Sequence, residues 1–433
     1  NPFAGLVALL RAAWLSGKTR PMEYRVAQLE ALGRFLEEKK QEILEATALD
    51  MGKVRGRGAG NGGTRGWRSR GAAGVQGVDV VPQVGNRGLE QAALVEGVPA
   101  RGRGWDWMSF KVPSTQTLYS SVNSILLPAD CFAVVTAGVQ ETTRLLENKF
   151  DYIFFTGIPS MGRLVMAAAA KHLTPVMLEL GGKNPCYVSD TCDVRSVARR
   201  VAWGRFFNAG QTCVAPDYVL CTLEMQEKLM PALREAITEF YGSNPRESPD
   251  FGRIVDKKEF QRLQMLLRSG RVAIGGQTDE KDLYIAPTVV VDVQPSDPIM
   301  QEIILGPILP IFIVANVDEA IDFINNRERP LAVYAFSSDD KVVAQVLERT
   351  SSGGFCSNDT LMHMILTSLP FGGIGRYHGK FTFDTFSHQR GCLHRNMGLE
   401  ALNALRYPPY SQHRMGIVCA ASRVKHRGSC TLL

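Results

Sequence analysis

Residues 21–49 repeat apolar positions at helical spacing, with Leu29, Leu32, Phe35, Leu36, Ile43 and Leu44 set among charges. That period predicts one long surface helix. Ahead of it, NPFAGLVALLRAAWL is apolar but broken by Arg11, and no small-residue cleavage site follows. It reads as an amphipathic first helix rather than a signal peptide. Periodicity is lost from about 53 to 130 and then returns as alternation: strand FAVVT (132–136), helix ETTRLLENKF (141–150), strand DYIFFTG (151–157), helix MGRLVMAAAAKHL (161–173), strand PVMLEL (175–180). A second alternating series fills 184–390 and includes the amphipathic run EMQEKLMPALREAITEFYG (224–242). Strands separated by helices of about ten residues predict α/β lobes with doubly wound parallel sheets. The expected division is 1–183, with 54–130 poorly packed or disordered, then a second α/β domain over 184–390, then an arm and tail over 391–433.

Composition changes this picture at one place. The chain has 433 residues, 45% hydrophobic and 21% charged, with a formal charge of +6. Residues 51–110 hold nine Lys/Arg against four Asp/Glu, so +5 of that charge lies there. The stretch GKVRGRGAGNGGTRGWRSRGAAGVQG (52–77) is mainly glycine and arginine. A nucleic-acid arm would interleave aromatics for base stacking, and only Trp67 falls within the dense run. No nucleic-acid partner is expected. The nine cysteines are scattered, with no C-x-x-C pair and no zinc spacing, which predicts free thiols in a reducing compartment and no metal. The longest apolar run, residues 303–317, contains two prolines and is too short to span a bilayer.

Three short segments carry candidate chemistry. FTGIPSMG (155–162) sets Gly157, Ile158, Pro159, Ser160, Met161 and Gly162 between a strand and a helix, where backbone N–H groups can receive a pyrophosphate. A βα turn with no ligand is the alternative. LELGGK (178–183) ends an apolar strand on Glu179. Partial desolvation there would raise its proton affinity into a general base's range, unless the side chain reaches solvent. FNAGQTCVAPDYVLC (207–221) leads polar residues into Cys213, which reads as a nucleophile or as a small packing residue. Cys221 reads as core.

Glu179 and Cys213 are 34 residues apart, and ELGGK followed by FNAGQTC resembles the aldehyde dehydrogenase superfamily. KHLTPVMLELGGKNPCYV, AWGRFFNAGQTCVAPDYVLC, RYHGKFTFDTFSH and LNALRYPP resemble family 3, and within it the lipid-modified B branch. The resemblance covers residues 1 to about 53 and 131 to the C-terminus. It implies an NAD- or NADP-dependent enzyme that oxidises medium- to long-chain aldehydes. Cys213 would attack the aldehyde and Glu179 would activate the water that hydrolyses the thioester. It also implies a homodimer.

Several departures fall on the implied site. The WNYP-type motif, whose Asn joins the Cys backbone N–H in stabilising the oxyanion, is absent, as is the KPSE-type motif that holds the adenosine ribose. Loss of one oxyanion donor costs roughly two to three orders of magnitude in rate. Ile158 stands where the family has Ser. In QEIILGP, Gln301 and Glu302 remain, but Ile303 replaces the Glu that holds the nicotinamide ribose and Leu305 replaces a Phe. Glu302 could substitute only by facing the same way, whereas neighbours on a strand face apart. A few glycine-containing residues are missing between Gly375 and Arg376. A catalytically impaired relative is therefore the alternative reading.

The terminal Cys430-Thr431-Leu432-Leu433 fits a geranylgeranylation signal, and the B branch shares such an ending. Arg423, Lys425 and Arg427 would add attraction to anionic lipid. The expectation is a cytoplasmic protein held peripherally on the plasma membrane or a lipid droplet.

Overall fold

Two largely parallel sheets organise the larger part of the protein, as seen in a computed structural model that describes residues 1–39, 92–96, 131, 133, 135, 137–395 and 397–422. The first sheet has three strands in the order β1 (Ala92–Glu96), β2 (Tyr152–Gly157), β3 (Val176–Leu180). Both pairings are parallel, with Phe155 opposite Leu178 and Thr156 opposite Glu179. Val7 from helix α1 (Ala4–Leu15), Leu146, Val165 and Ala169 pack on Ile153, Phe155 and Leu178 of this sheet. Helix α2 (Met22–Glu38) follows the predicted period, and residues 40–49 of the expected helix lie outside the described residues.

Strand β1 is a correction. It falls inside the 54–130 stretch expected to lack packing, yet AALVE lies in register beside β2. Five residues are too few for period to distinguish a strand, and pairing to a neighbouring strand decided the outcome. The strand expected at 132–136 is only partly described, and Ala133 and Val135 are not in a strand. The helix expected over 141–150 is Val139–Leu145, started by Gly138 N–H donating to the Glu141 carboxylate, and it unwinds before Asn148.

The second sheet has seven strands in the order β12-β11-β4-β5-β10-β9-β6. These are β4 (Pro185–Val188), β5 (Tyr218–Cys221), β6 (Arg271–Ile274), β9 (Thr288–Val291), β10 (Ile308–Ile313), β11 (Ala332–Phe336) and β12 (Gly354–Ser357); a separate hairpin joins β7 (Thr278–Asp279) to β8 (Tyr284–Ile285). All its pairings are parallel except β6 with β9. Strands covered on both faces are apolar throughout, as β4, β5 and β11 are. Helices Val194–Phe206 and Leu223–Tyr241 pack on them, each started by a side-chain cap from Asp193 or Thr222.

The chain divides into two compact units, Asn1–His388 and Gln389–Leu433. In the second unit, Gln412–Ser422 is helical. No described helix is long and apolar enough to cross a membrane.

Candidate active site

The ends of β3 and the loop before β5 bring the chemistry together. Glu179 sits one residue before the end of β3 and is 2% exposed. The alternative in which it reaches solvent is therefore excluded. Cys213 lies in a turn between helix Val194–Phe206 and β5 and is partly buried. Three left-handed residues set up this turn, Asn208, Ala209 and Gly210, with φ of 53°, 53° and 74°. Only glycine is at ease in the third position, where a Cβ would come within 2.1 Å of the Gly306 carbonyl oxygen.

The Cys213 thiol and the Glu179 carboxyl are neighbours that titrate together. Burial pushes the Glu179 carboxyl upward, and interactions with the Cys213 thiol and the Thr156 hydroxyl only partly offset it. Its Oε1 is buried with no hydrogen-bond partner among the described residues. Burial also drives the Cys213 thiol well above its ordinary range, and the Glu179 charge adds to that. The backbone N–H groups of Cys213 and Val214 act in the opposite direction. Below the titration range of the pair both groups hold their protons, and one carboxylate is available to take the thiol's proton as pH rises.

Beneath the nucleophile lies a buried ionic cluster. Asp217 accepts from Lys183 Nζ at 2.7 Å, from Arg205 Nη1 at 2.9 Å and from Ile304 N–H at 3.2 Å. Arg205 is fully buried and also donates to the carbonyls of Pro216 and Gly306. Burial brings the Lys183 ammonium down to about 8 despite Asp217. Lys183 closes the ELGGK motif and Asn184 follows it, so the strand that carries the carboxyl leads directly into a residue that binds Asp217 and one that binds the Cys213 carbonyl.

The turn at 157–162 begins helix Pro159–Ala170, with Pro159 at its first position. Its N-cap, Ile158, supplies no side-chain acceptor. The N–H groups of Ser160 and Met161 find no acceptor among the described residues. A helix N-terminus left in this state favours an anion. A side chain at Gly157 or Gly162 would have to displace its neighbours, since a Cβ would come within 2.5 Å of the Phe155 ring and 2.8 Å of Leu180.

Just past the end of β3 the departures noted in the sequence take physical form. A Cβ on Gly181 would be 3.6 Å from Ile303 Cδ1, so Ile303 points toward the backbone two residues past Glu179. Glu302 faces elsewhere and pairs with Arg262 at 3.2 Å. The register in which Glu302 replaces the missing acid is therefore not adopted.

A profile of the aldehyde dehydrogenase family matches residues 109–386, well over half of the chain. This chain belongs to that family. The match begins inside 54–130, the stretch expected to be foreign, so residues 109–130 fall within the family's match. The chain is 52% identical to human aldehyde dehydrogenase family 3 member B1 over 468 aligned residues, covering all of both proteins. It is 59% identical to human aldehyde dehydrogenase family 3 member B2 over 324 residues, 74% of this chain and 83% of that protein. Among solved structures it resembles the substrate-bound state of a Staphylococcus aureus aldehyde dehydrogenase, AldH, with a TM-score of 0.79 and 29% identity over 98% of this chain and all of that one. A Mycobacterium tuberculosis aldehyde dehydrogenase complexed with NAD+ shares the fold, with a TM-score of 0.69 at 22% identity over 88% of this chain and 87% of that one.

The B branch of family 3 is thus supported, and with it an oxidoreductase fold whose members use NAD or NADP. The residues of this aldehyde dehydrogenase suit the phosphate end of such a cofactor, through the uncapped turn at 158–161. Ile303, at the position where the resemblance implies an acid for the nicotinamide ribose, has a side chain with no hydrogen-bonding group. Sequence reading passed over Asn184 and Tyr334, although both hold the Cys213 loop; the only sequence signal was the position of Asn184 just past the double glycine. Cys430 lies outside the described residues.

Proposed function

We propose that this chain oxidises medium- to long-chain aldehydes to carboxylic acids, with NAD or NADP accepting hydride when bound. The observation that carries the proposal is the burial of Glu179 at the end of β3, near enough to the partly buried Cys213 thiol for each group to shift the other's titration. In this reading Glu179 takes the thiol's proton as Sγ bonds to the aldehyde carbon. After oxidation the product is held as a Cys213 thioester, and Glu179 draws a proton from the water that attacks it. Ser160 and Met161 N–H groups would hold the pyrophosphate.

Purified protein given dodecanal and either nucleotide should release reduced nucleotide, and Cys213→Ala should release none. Equal rates from the two proteins would overturn the assignment. A second reading, a catalytically weak relative, is favoured by Ile303 in the place of a ribose-binding acid. It predicts turnover in wild type that is limited by a high KM for the nucleotide.

The tail reading is part of the same proposal. Geranylgeranylation of Cys430 would hold the enzyme at the cytoplasmic face of a membrane or on a lipid droplet, where fatty aldehydes collect, and the working form would be a homodimer. Cys430→Ser should move the protein from the membrane fraction of cells to the soluble fraction. Unchanged partitioning would rule out the anchor, and a monomer in sedimentation would rule out the dimer.

A further inference from the structure

Three consecutive carbonyls around the nucleophile are held by the side chains of Asn184, just before β4, and Tyr334, in β11. Asn184 Nδ2 donates to the carbonyls of Cys213 at 2.8 Å and Ala215 at 3.1 Å. Tyr334 Oη donates to the carbonyl of Val214 at 2.6 Å. Both side chains are fully buried and are themselves fixed: Asn184 Oδ1 accepts from Ala332 N–H at 2.9 Å, and Tyr334 Oη lies 3.4 Å from Leu361 N.

Peptide planarity turns these contacts into a statement about the N–H groups. The C=O of one residue and the N–H of the next share a plane and point in opposite directions. Asn184, by drawing the Cys213 carbonyl toward the sheet, turns the Val214 N–H the other way, to the thiol side. Tyr334 fixes the Val214 carbonyl and so turns the Ala215 N–H, which donates to the Thr212 carbonyl at 3.1 Å. That carbonyl in turn directs the Cys213 N–H to the thiol side. No oxygen or nitrogen among the described residues accepts from the Cys213 or Val214 N–H. Two donors thus lie beside the nucleophile, turned to its sulfur and with no oxygen or nitrogen acceptor among the described residues, in a chain that lacks the WNYP-type Asn.

We infer that the Cys213 and Val214 N–H groups form a two-amide oxyanion site, with Asn184 and Tyr334 as the positioning residues that aim them. The inference rests on Cys213 being the nucleophile. As Sγ bonds to the carbonyl carbon, the C=O π bond opens and its electron pair moves to oxygen, while the thiol proton passes to Glu179. The resulting alkoxide accepts from both N–H groups. Val214 N–H supplies the second donor, and the Asn184 contact aims it.

The test separates oxyanion binding from thiol reactivity and needs no cofactor. Cys213 is alkylated with iodoacetamide, in which displacement at the methylene creates no oxyanion, and labelling is followed by peptide mass spectrometry. The same reaction is run with an alkyl trifluoromethyl ketone, which adds to the thiol as an alkoxide and protects it. In Tyr334→Phe, which keeps the buried ring, the ketone concentration needed for protection should rise about tenfold or more. Alkylation without the ketone should stay within about threefold of wild type, since thiol ionisation is little altered. Asn184→Ala should behave likewise; if it does not fold, Tyr334→Phe decides alone. Unchanged protection overturns the inference, and so does a parallel fall in protection and alkylation, the mark of a displaced loop. A wild-type chain that the ketone protects but that releases no reduced nucleotide keeps this inference and defeats aldehyde oxidation.

Discussion

Asp217→Asn is expected to destabilise the protein by about 3–5 kcal/mol, because it leaves two buried cations without their shared anion. Arg205 is fully buried and the Lys183 side chain is 9% exposed, so water cannot replace what the carboxylate supplied. A urea titration gives the result directly as a lower midpoint at unchanged slope. A loss below about 1 kcal/mol would mean the cluster is only weakly coupled to folding. The effect has a defined pH dependence. The folded-state Lys183 titrates at about 8, below its ordinary value of 10.5, so between those values the unfolded chain binds more protons. In that window wild-type stability gains from Lys183 as pH rises. The asparagine variant should recover part of its deficit on moving to alkaline pH, because a neutral lysine amine no longer requires the anion.

Glu179→Gln is expected to lower steady-state turnover by about two to four orders of magnitude, the range for a positioned general base. Deacylation should fail most severely, leaving a thioester on Cys213 that intact-protein mass spectrometry detects. The same change removes the negative charge that helps hold the Cys213 thiol protonated. Iodoacetamide labelling of Cys213 should therefore begin at lower pH in the variant than in wild type, even as turnover falls. Opposite movement of these two readouts distinguishes a lost base from a damaged fold. Turnover within about threefold of wild type would remove Glu179 from the mechanism.

What the sequence disclosed depended on range. Helix α2, strands β2 and β3 and the helix between those strands were visible because period is a local property; the strands and the helix between them differ from expectation by a few residues, whereas α2 ends at Glu38, well before the expected 49. Glu179 and Cys213 were visible because their motifs are contiguous. Burial of Glu179 was not, since it depends on what covers the end of β3. The hold of Tyr334 on Val214 joins residues 120 apart, and that of Asn184 on Ala332 joins residues 148 apart. No local pattern encodes either. Ile303 was recognisable as a departure, but its approach to Gly181 became clear only when β3 and the segment before β10 were seen together.

One contact made late in the chain also governs when the site comes into being. Leu178 exchanges both of its backbone hydrogen bonds with Ile374, at 2.8 and 3.1 Å, so the open edge of β3 is closed by a segment about two hundred residues downstream of Glu179. During synthesis at ordinary speeds that interval lasts roughly 10–40 s. Throughout it, β3 presents an unpaired edge of the kind that recruits foreign strands. A nascent chain truncated before Ile374 carries the base and the nucleophile but has no partner for that edge, so such fragments are expected to be sticky rather than active.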